Sequence, residues 1–132
     1  MTLLNDILQL CLANAIIDEY DDEIWHVRKY VNGEIEIRGT YITRQQYAIT
    51  TPYGQVFRYG QDFSISLPEQ LIDIEDSQVS VSIMSSGTDF AGKVRVQNLG
   101  QYSNVMFAWL NPTSYTASIR SRIQCIAKGK WK

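Results

Sequence analysis

The stretch WHVRKYVNGEIEIRG, residues 25–39, decides how the rest of this chain is read. Trp25, Val27, Lys29 and Val31 alternate with His26, Arg28 and Tyr30, a period of two rather than 3.6. Asn32-Gly33 then supplies a strong short hairpin signal, and a type I′ turn is expected because both residues tolerate φ > 0. The return strand puts Ile35 and Ile37 on one face and Glu34, Glu36 and Arg38 on the other. Gly39 predicts a bulge or bend where that strand ends. A half-buried antiparallel hairpin is the result, and it makes a β class the expectation for the chain beyond it.

Downstream, short strands are expected at 46–51, 63–67, 79–84, 94–98 and 105–110. Turn signals separate them at Thr51-Pro52-Tyr53-Gly54, Tyr59-Gly60, Ser86-Gly87, Leu99-Gly100 and Asn111-Pro112. The terminal IAKGKWK continues a two-residue period begun upstream. Ile119, Ser121, Ile123, Cys125, Ala127, Gly129 and Trp131 share one face, while Arg120, Arg122, Gln124, Ile126, Lys128, Lys130 and Lys132 share the other. Thirteen residues exceed the usual ~3–10 of a strand, so a kink or bulge is expected at Gly129. Seven or eight such strands predict an all-β antiparallel sandwich, jelly-roll-like, covering residues 24–132.

Upstream the period is helical. Leu3, Ile7, Leu10, Asn14 and Ile17 form an a/d seam, with Leu4, Leu8, Cys11 and Ala15 widening the apolar face. A helix over the first 17 residues is expected. Its seam either registers copies of the chain, with Asn14 fixing the oligomer, or docks on the sheet. DEYDDE, residues 18–23, lacks the spacing and central Gly of a calcium loop and reads as a solvated acidic linker. The segment 1–23 is thus taken as the end of a stalk, with its linker.

With 132 residues the chain suits one core, and no apolar run approaches the ~18 residues of a membrane span. The start lacks the positive region of a signal peptide, and no membrane insertion is expected. The net charge of −2 argues against general nucleic-acid binding. Acids and bases are segregated: residues 1–23 carry six acids and no Lys or Arg, and no acid follows Asp89. Such segregation suits segments that meet across a sheet or a subunit boundary.

Cys11 and Cys125 lack disulfide-framework or zinc spacing and read as buried thiols of a reducing compartment. The lone His26 reads as a hydrogen-bonded strand residue. No nucleotide, hydrolase or metalloprotease motif is present, and Asp73, Glu75 and Asp76 read as a solvated patch rather than a glycosidase pair. A non-enzymatic protein without cofactor or metal is expected. Tyr41, Tyr47, Tyr53, Tyr59, Tyr102 and Tyr115 fall at strand ends or turns, where they either line a recognition surface or cover the core. For ligand contact the sequence favours Tyr102, Trp109 and Tyr115, around the Asn111–Ser114 turn.

The motif running from Trp25 through Arg28-Lys29-Tyr30, Gly33 and Glu36 to Gly39 resembles the C-terminal head domains of tailed-phage and prophage tail-fibre or minor structural proteins. Tyr30 and Arg38 stand where tryptophan is common in that family. The likeness continues in order through Phe63 to Pro68, Val79 to Val81, Pro112-Thr113-Ser114 and the closing Gly129-Lys130-Trp131-Lys132. It implies a β-sandwich at the tip of a virion fibre, a homotrimer joined to other tail or baseplate proteins. Its function would be attachment to the host cell surface through saccharide. A capping or trimerising module without its own receptor site is the alternative, and an accessory domain of a depolymerising tail enzyme a third.

Overall fold

A computed structural model describes residues 3–13, 15–72, 77–85, 87–97, 103–116 and 120–132, with helix side chains described through Leu8. Among the described residues one helix, α1 (Leu3–Ala13), precedes eleven strands. These are β1 (Ile16–Asp22), β2 (Trp25–Tyr30), β3 (Glu34–Thr43), β4 (Ala48–Tyr53), β5 (Val56–Tyr59) and β6 (Phe63–Ser66). After them come β7 (Gln78–Met84), β8 (Phe90–Gln97), β9 (Asn104–Asn111), β10 (Tyr115–Thr116) and β11 (Ser121–Lys130). The first sheet has the order β1-β2-β3-β11-β7; the second has β10-β4-β5-β9-β6, with β8 along the other edge of β9. Every pairing is antiparallel. The molecule is an antiparallel β-sandwich with a short N-terminal helix.

The alternation read at residues 25–39 produces the inner face of the first sheet. Trp25, Val27, Ile35, Ile37, Ile123, Cys125 and Ala127 are all buried, as the period of two requires. They meet Ile49, Ile65, Val105, Phe107 and Trp109 from the second sheet. Between the sheets lies an aromatic cluster: Tyr47 packs on Trp109 (4.9 Å between ring centres), Tyr59 (5.1 Å) and Phe63 (5.6 Å). Phe63 in turn packs on Phe107 at 5.3 Å and on Tyr41 at 6.0 Å. Tyr47 and Tyr59 are thus packed against the core, while Tyr41 stays partly exposed beside Phe63.

Several local expectations are corrected. The β2–β3 turn has Gly33 alone at positive φ (93°), and Gly33 N donates to Tyr30 O at 3.0 Å. This is a type I turn followed by a left-handed glycine, not a type I′ turn. Asn32 Oδ1 accepts from Glu34 N at 3.0 Å, which supports that longer loop. Gly39 makes no bulge; it pairs in register with both Trp25 and Cys125. It is glycine because a Cβ there would enter the Trp25 ring. Gly129 also stays in register, opposite Ile35, so β11 runs without interruption. Trp131 closes the end: its backbone N donates to Gly33 O at 2.9 Å and its Nε1 to Tyr30 O at 3.1 Å.

The N-terminal reading changes most. Helix α1 is described over Leu3–Ala13, and Ile17 lies on strand β1 rather than on the helical seam. Residues 18–22 are strand too, not a linker: Asp18, Glu19 and Asp21 pair opposite Lys29, Arg28 and His26. Opposite charges facing each other across strands replace the apolar signal that the sequence lacks there. The β1–β2 hairpin turns through Glu23-Ile24, with Glu23 in the left-handed region (φ 53°). The described helix side chains remain in water: Leu3 is 74%, Leu4 73%, Ile7 50% and Leu8 56% exposed. Within one chain, this part of the seam is not docked on the sheet. Asn14 lies outside the described residues, as does the Leu10 side chain.

Candidate ligand-binding surface

Of the residues favoured from sequence, Trp109 and Tyr115 fall among those described. Trp109 is fully buried, and its Nε1 donates to Asp89 Oδ2 at 2.7 Å. It offers no ring to a ligand, because it sits on the inward side of β9 between Ala108 and Leu110. Asn111 Nδ2 donates to the other Asp89 oxygen at 3.0 Å, and Asn111 Oδ1 accepts from Thr113 N at 2.9 Å. The Asn111–Ser114 turn is thus braced from inside. Tyr115 is half-buried against the core, and its hydroxyl has no hydrogen-bond partner among the described residues. Tyr102 lies outside them.

The outer face of the first sheet carries ladders of charge. One rung reads Glu19, Arg28, Glu36, Lys128 and Gln78 across β1, β2, β3, β11 and β7. The next reads Asp21, His26, Arg38, Ile126 and Ser80. Arg28 Nε donates to Glu19 at 3.1 Å, and Arg38 Nε to Glu36 at 2.7 Å. His26 faces Asp21 (2.6 Å) and Glu19 (2.8 Å) through its two ring nitrogens, so it is the strand residue expected. Hydrogen bonding to Asp21 and then to Glu19 raises its pKa. Signs alternate along this face and largely satisfy one another.

The outer face of the second sheet is different. Tyr53, 37% exposed, ends β4 just before a two-residue turn made possible by Gly54 at φ 62°. Arg58 on β5 and Lys93 on β8 both reach its ring, each at 5.4 Å from the ring centre. Strands β5 and β6 lie in tandem along β9, and the break between them holds Asp62. Arg58 Nη2 donates to Asp62 Oδ1 at 2.7 Å, and Arg95 Nη2 donates to Oδ2 at 2.6 Å. The bond from Arg95, with the charges of both arginines, holds the Asp62 carboxyl below its ordinary range. Beneath this polar layer Leu110 lies over Gly92, where a Cβ would come within 2.5 Å of it.

Lys93 reaches Tyr53 through an irregularity. The register of β8 against β9 slips between Gly92 and Arg95, a bulge with Lys93 at φ 52°. A non-glycine residue there costs on the order of 1 kcal/mol. The result is an exposed aromatic ring flanked by two cations, with an arginine pair fixed by one carboxylate. A ring face and forked donors are what a pyranose ring and its substituents require. Sequence spacing did not single out Tyr53 from the other turn tyrosines, and Arg58 lies more than thirty residues before Lys93 and Arg95, too far to suggest that the three meet. The signal present was Tyr53-Gly54, which puts a tyrosine at a hairpin tip. Comparison with family models, curated proteins and solved structures gave no match for this chain.

Proposed function

We propose that this protein is a non-enzymatic attachment module at the tip of a phage tail fibre, which holds the host surface by recognising saccharide. The observation that carries this reading is the Tyr53 surface, an exposed ring between Arg58 and Lys93 on a rigid sheet. Sheet-borne side chains hold their geometry better than loop-borne ones, which suits a weak site used repeatedly. The resemblance of the Trp25–Gly39 and Gly129–Lys132 motifs to fibre heads supports the virion setting.

A trimer fits the N-terminus. The exposed seam begun by Leu3 and Ile7 recurs on every copy, and three heads on one stalk multiply weak affinities. The same observation favours the second reading, a capping or trimerising module with recognition done elsewhere. Binding of fluorescently labelled full chain to host cells separates the two. Retention on cells that Tyr53→Ala lowers at least tenfold is expected. A folded protein that no host cell retains would overturn the attachment reading and leave the cap.

A further inference from the structure

The Tyr53 surface has an excess of positive charge that its own geometry does not use. Arg58 and Arg95 divide a single carboxylate between them, and both of its oxygens are taken. Lys93 adds a third cation, and among the described residues its contact is the Tyr53 ring rather than an acid. Three cations against one anion gather here on a chain whose net charge is −2. On the first sheet, by contrast, each cation of the Glu19–Lys128 rung faces an acid.

The bulge in β8 sharpens the point. At a bulge residue in the left-handed region glycine is the unstrained choice, and glycine is already used next door at position 92. Lysine at 93 accepts backbone strain, and its ammonium reaches the ring that Arg58 already covers. Strain of this kind persists where surrounding structure holds it, and it is a reason to look for a task.

We propose that the surface formed by Tyr53, Arg58, Lys93 and Arg95 binds sugars bearing an anionic substituent, a carboxylate or a phosphate, in preference to neutral ones. The sugar ring lies on the part of Tyr53 left open, Lys93 supplies a mobile point charge, and Arg95 supplies the forked donors not spent on Asp62. Asp62 keeps both guanidiniums in place and limits their charge, so that a discrete acidic group is favoured over a general polyanion. This inference rests on the attachment reading and names its ligand class.

The test uses the full chain on immobilised oligosaccharides in three sets, neutral, uronate-bearing and phosphate-bearing, with oligodeoxythymidylate as a polyanion control. One or both anionic sets should bind at least tenfold more tightly than the neutral set, and the preference should fall as salt rises. The set that binds tells carboxylate from phosphate. Lys93→Gly is the informative variant: it should melt at a higher temperature than the native chain and yet lose the anionic preference about tenfold. A merely structural lysine would give the first result without the second. Equal binding of neutral and anionic sets, an unchanged preference in Lys93→Gly, or equally tight binding of oligodeoxythymidylate would each overturn the inference. If host cells still retain the protein in those cases, the attachment reading stands alone. If neither cells nor any saccharide set retains it, both fall.

Discussion

Asp89 shows how much one buried polar residue organises. Its two oxygens accept from Trp109 Nε1 and Asn111 Nδ2, and Asn111 in turn holds Thr113. Burying the indole N–H without an acceptor costs roughly 1–3 kcal/mol, and the amide adds a similar amount. Asp89→Ala should therefore destabilise the domain by about 3 kcal/mol in urea titration, with the turn at 111–114 loosened. Asp89→Asn, which keeps an acceptor for Trp109, should cost less than half of that. Equal losses in the two variants would show that the brace is packing rather than hydrogen bonding. Residue by residue, alternation alone placed Trp25, Val27, Ile35, Ile37, Ile123, Cys125 and Ala127 in the core. It could not place Trp109, because a tryptophan before a turn reads the same whether its ring points in or out. The deciding partner, Asp89, is twenty residues away in the chain.

At the scale of elements, β1 is the strand whose stability follows its charges. It is an edge strand with mostly exposed side chains, paired among the described residues to β2 alone. His26, on β2, meets Asp21 and Glu19 of β1, while Arg28 and Arg38 flank it and Glu36 lies on the neighbouring strand. The folded pKa of His26 is raised by its bonds to Asp21 and Glu19. Its contribution is thus complete below the unfolded value of about 6.5 and is lost as pH rises through the folded one. Glu19 moves the other way, lowered by Arg28 and then His26, so its contribution is present above the ordinary carboxylate value and is lost in acid. Amide exchange in Ile16–Asp22, corrected for the intrinsic rate at each pH, should show most protection in mildly acidic solution and less at pH 8. His26→Gln should remove the alkaline limb. A protection profile flat across neutrality in the native chain would refute this role for the histidine.

The elements legible in the sequence were those with apolar alternation and glycine or proline turns: β2, β3, β6, β7, β9 and β11, with β4 and β8 found at shifted bounds. Strand β1 was hidden, since its register comes from charge and its turn uses Glu23 at positive φ instead of glycine. Strand β5 was hidden because four residues between two turn signals carry too short a period to read. The Tyr53 surface was hidden for a related reason. It joins β4, β5 and β8, and a sheet order that brings these together is not a property of any one segment.

At the scale of the whole molecule, the apolar N-terminus sets the remaining problem. Leu3, Leu4, Ile7 and Leu8 are each at least half exposed on an eleven-residue helix, shorter than the ~12–15 residues at which isolated helices become even marginal. Burying one such side chain is worth about 1.5–3 kcal/mol, so packing three helices together offers far more than each helix gains alone. Leu3 and Ile7 are four residues apart and Leu10 follows three later, which is the spacing of a seam between helices. The full chain should accordingly sediment at three times its 15.1 kDa mass at micromolar concentration. Ile7→Glu should return it to the monomer mass. Because Ile7 is exposed in the single chain, that substitution leaves the sandwich and its melting cooperativity intact, so dissociation cannot be mistaken for misfolding. A native chain that sediments as a monomer would refute the trimer. An assembly that survives Ile7→Glu would move the contact from the helix to the sheets, where Ile42 and Met84 form an exposed apolar pair on either side of Arg122 of β11.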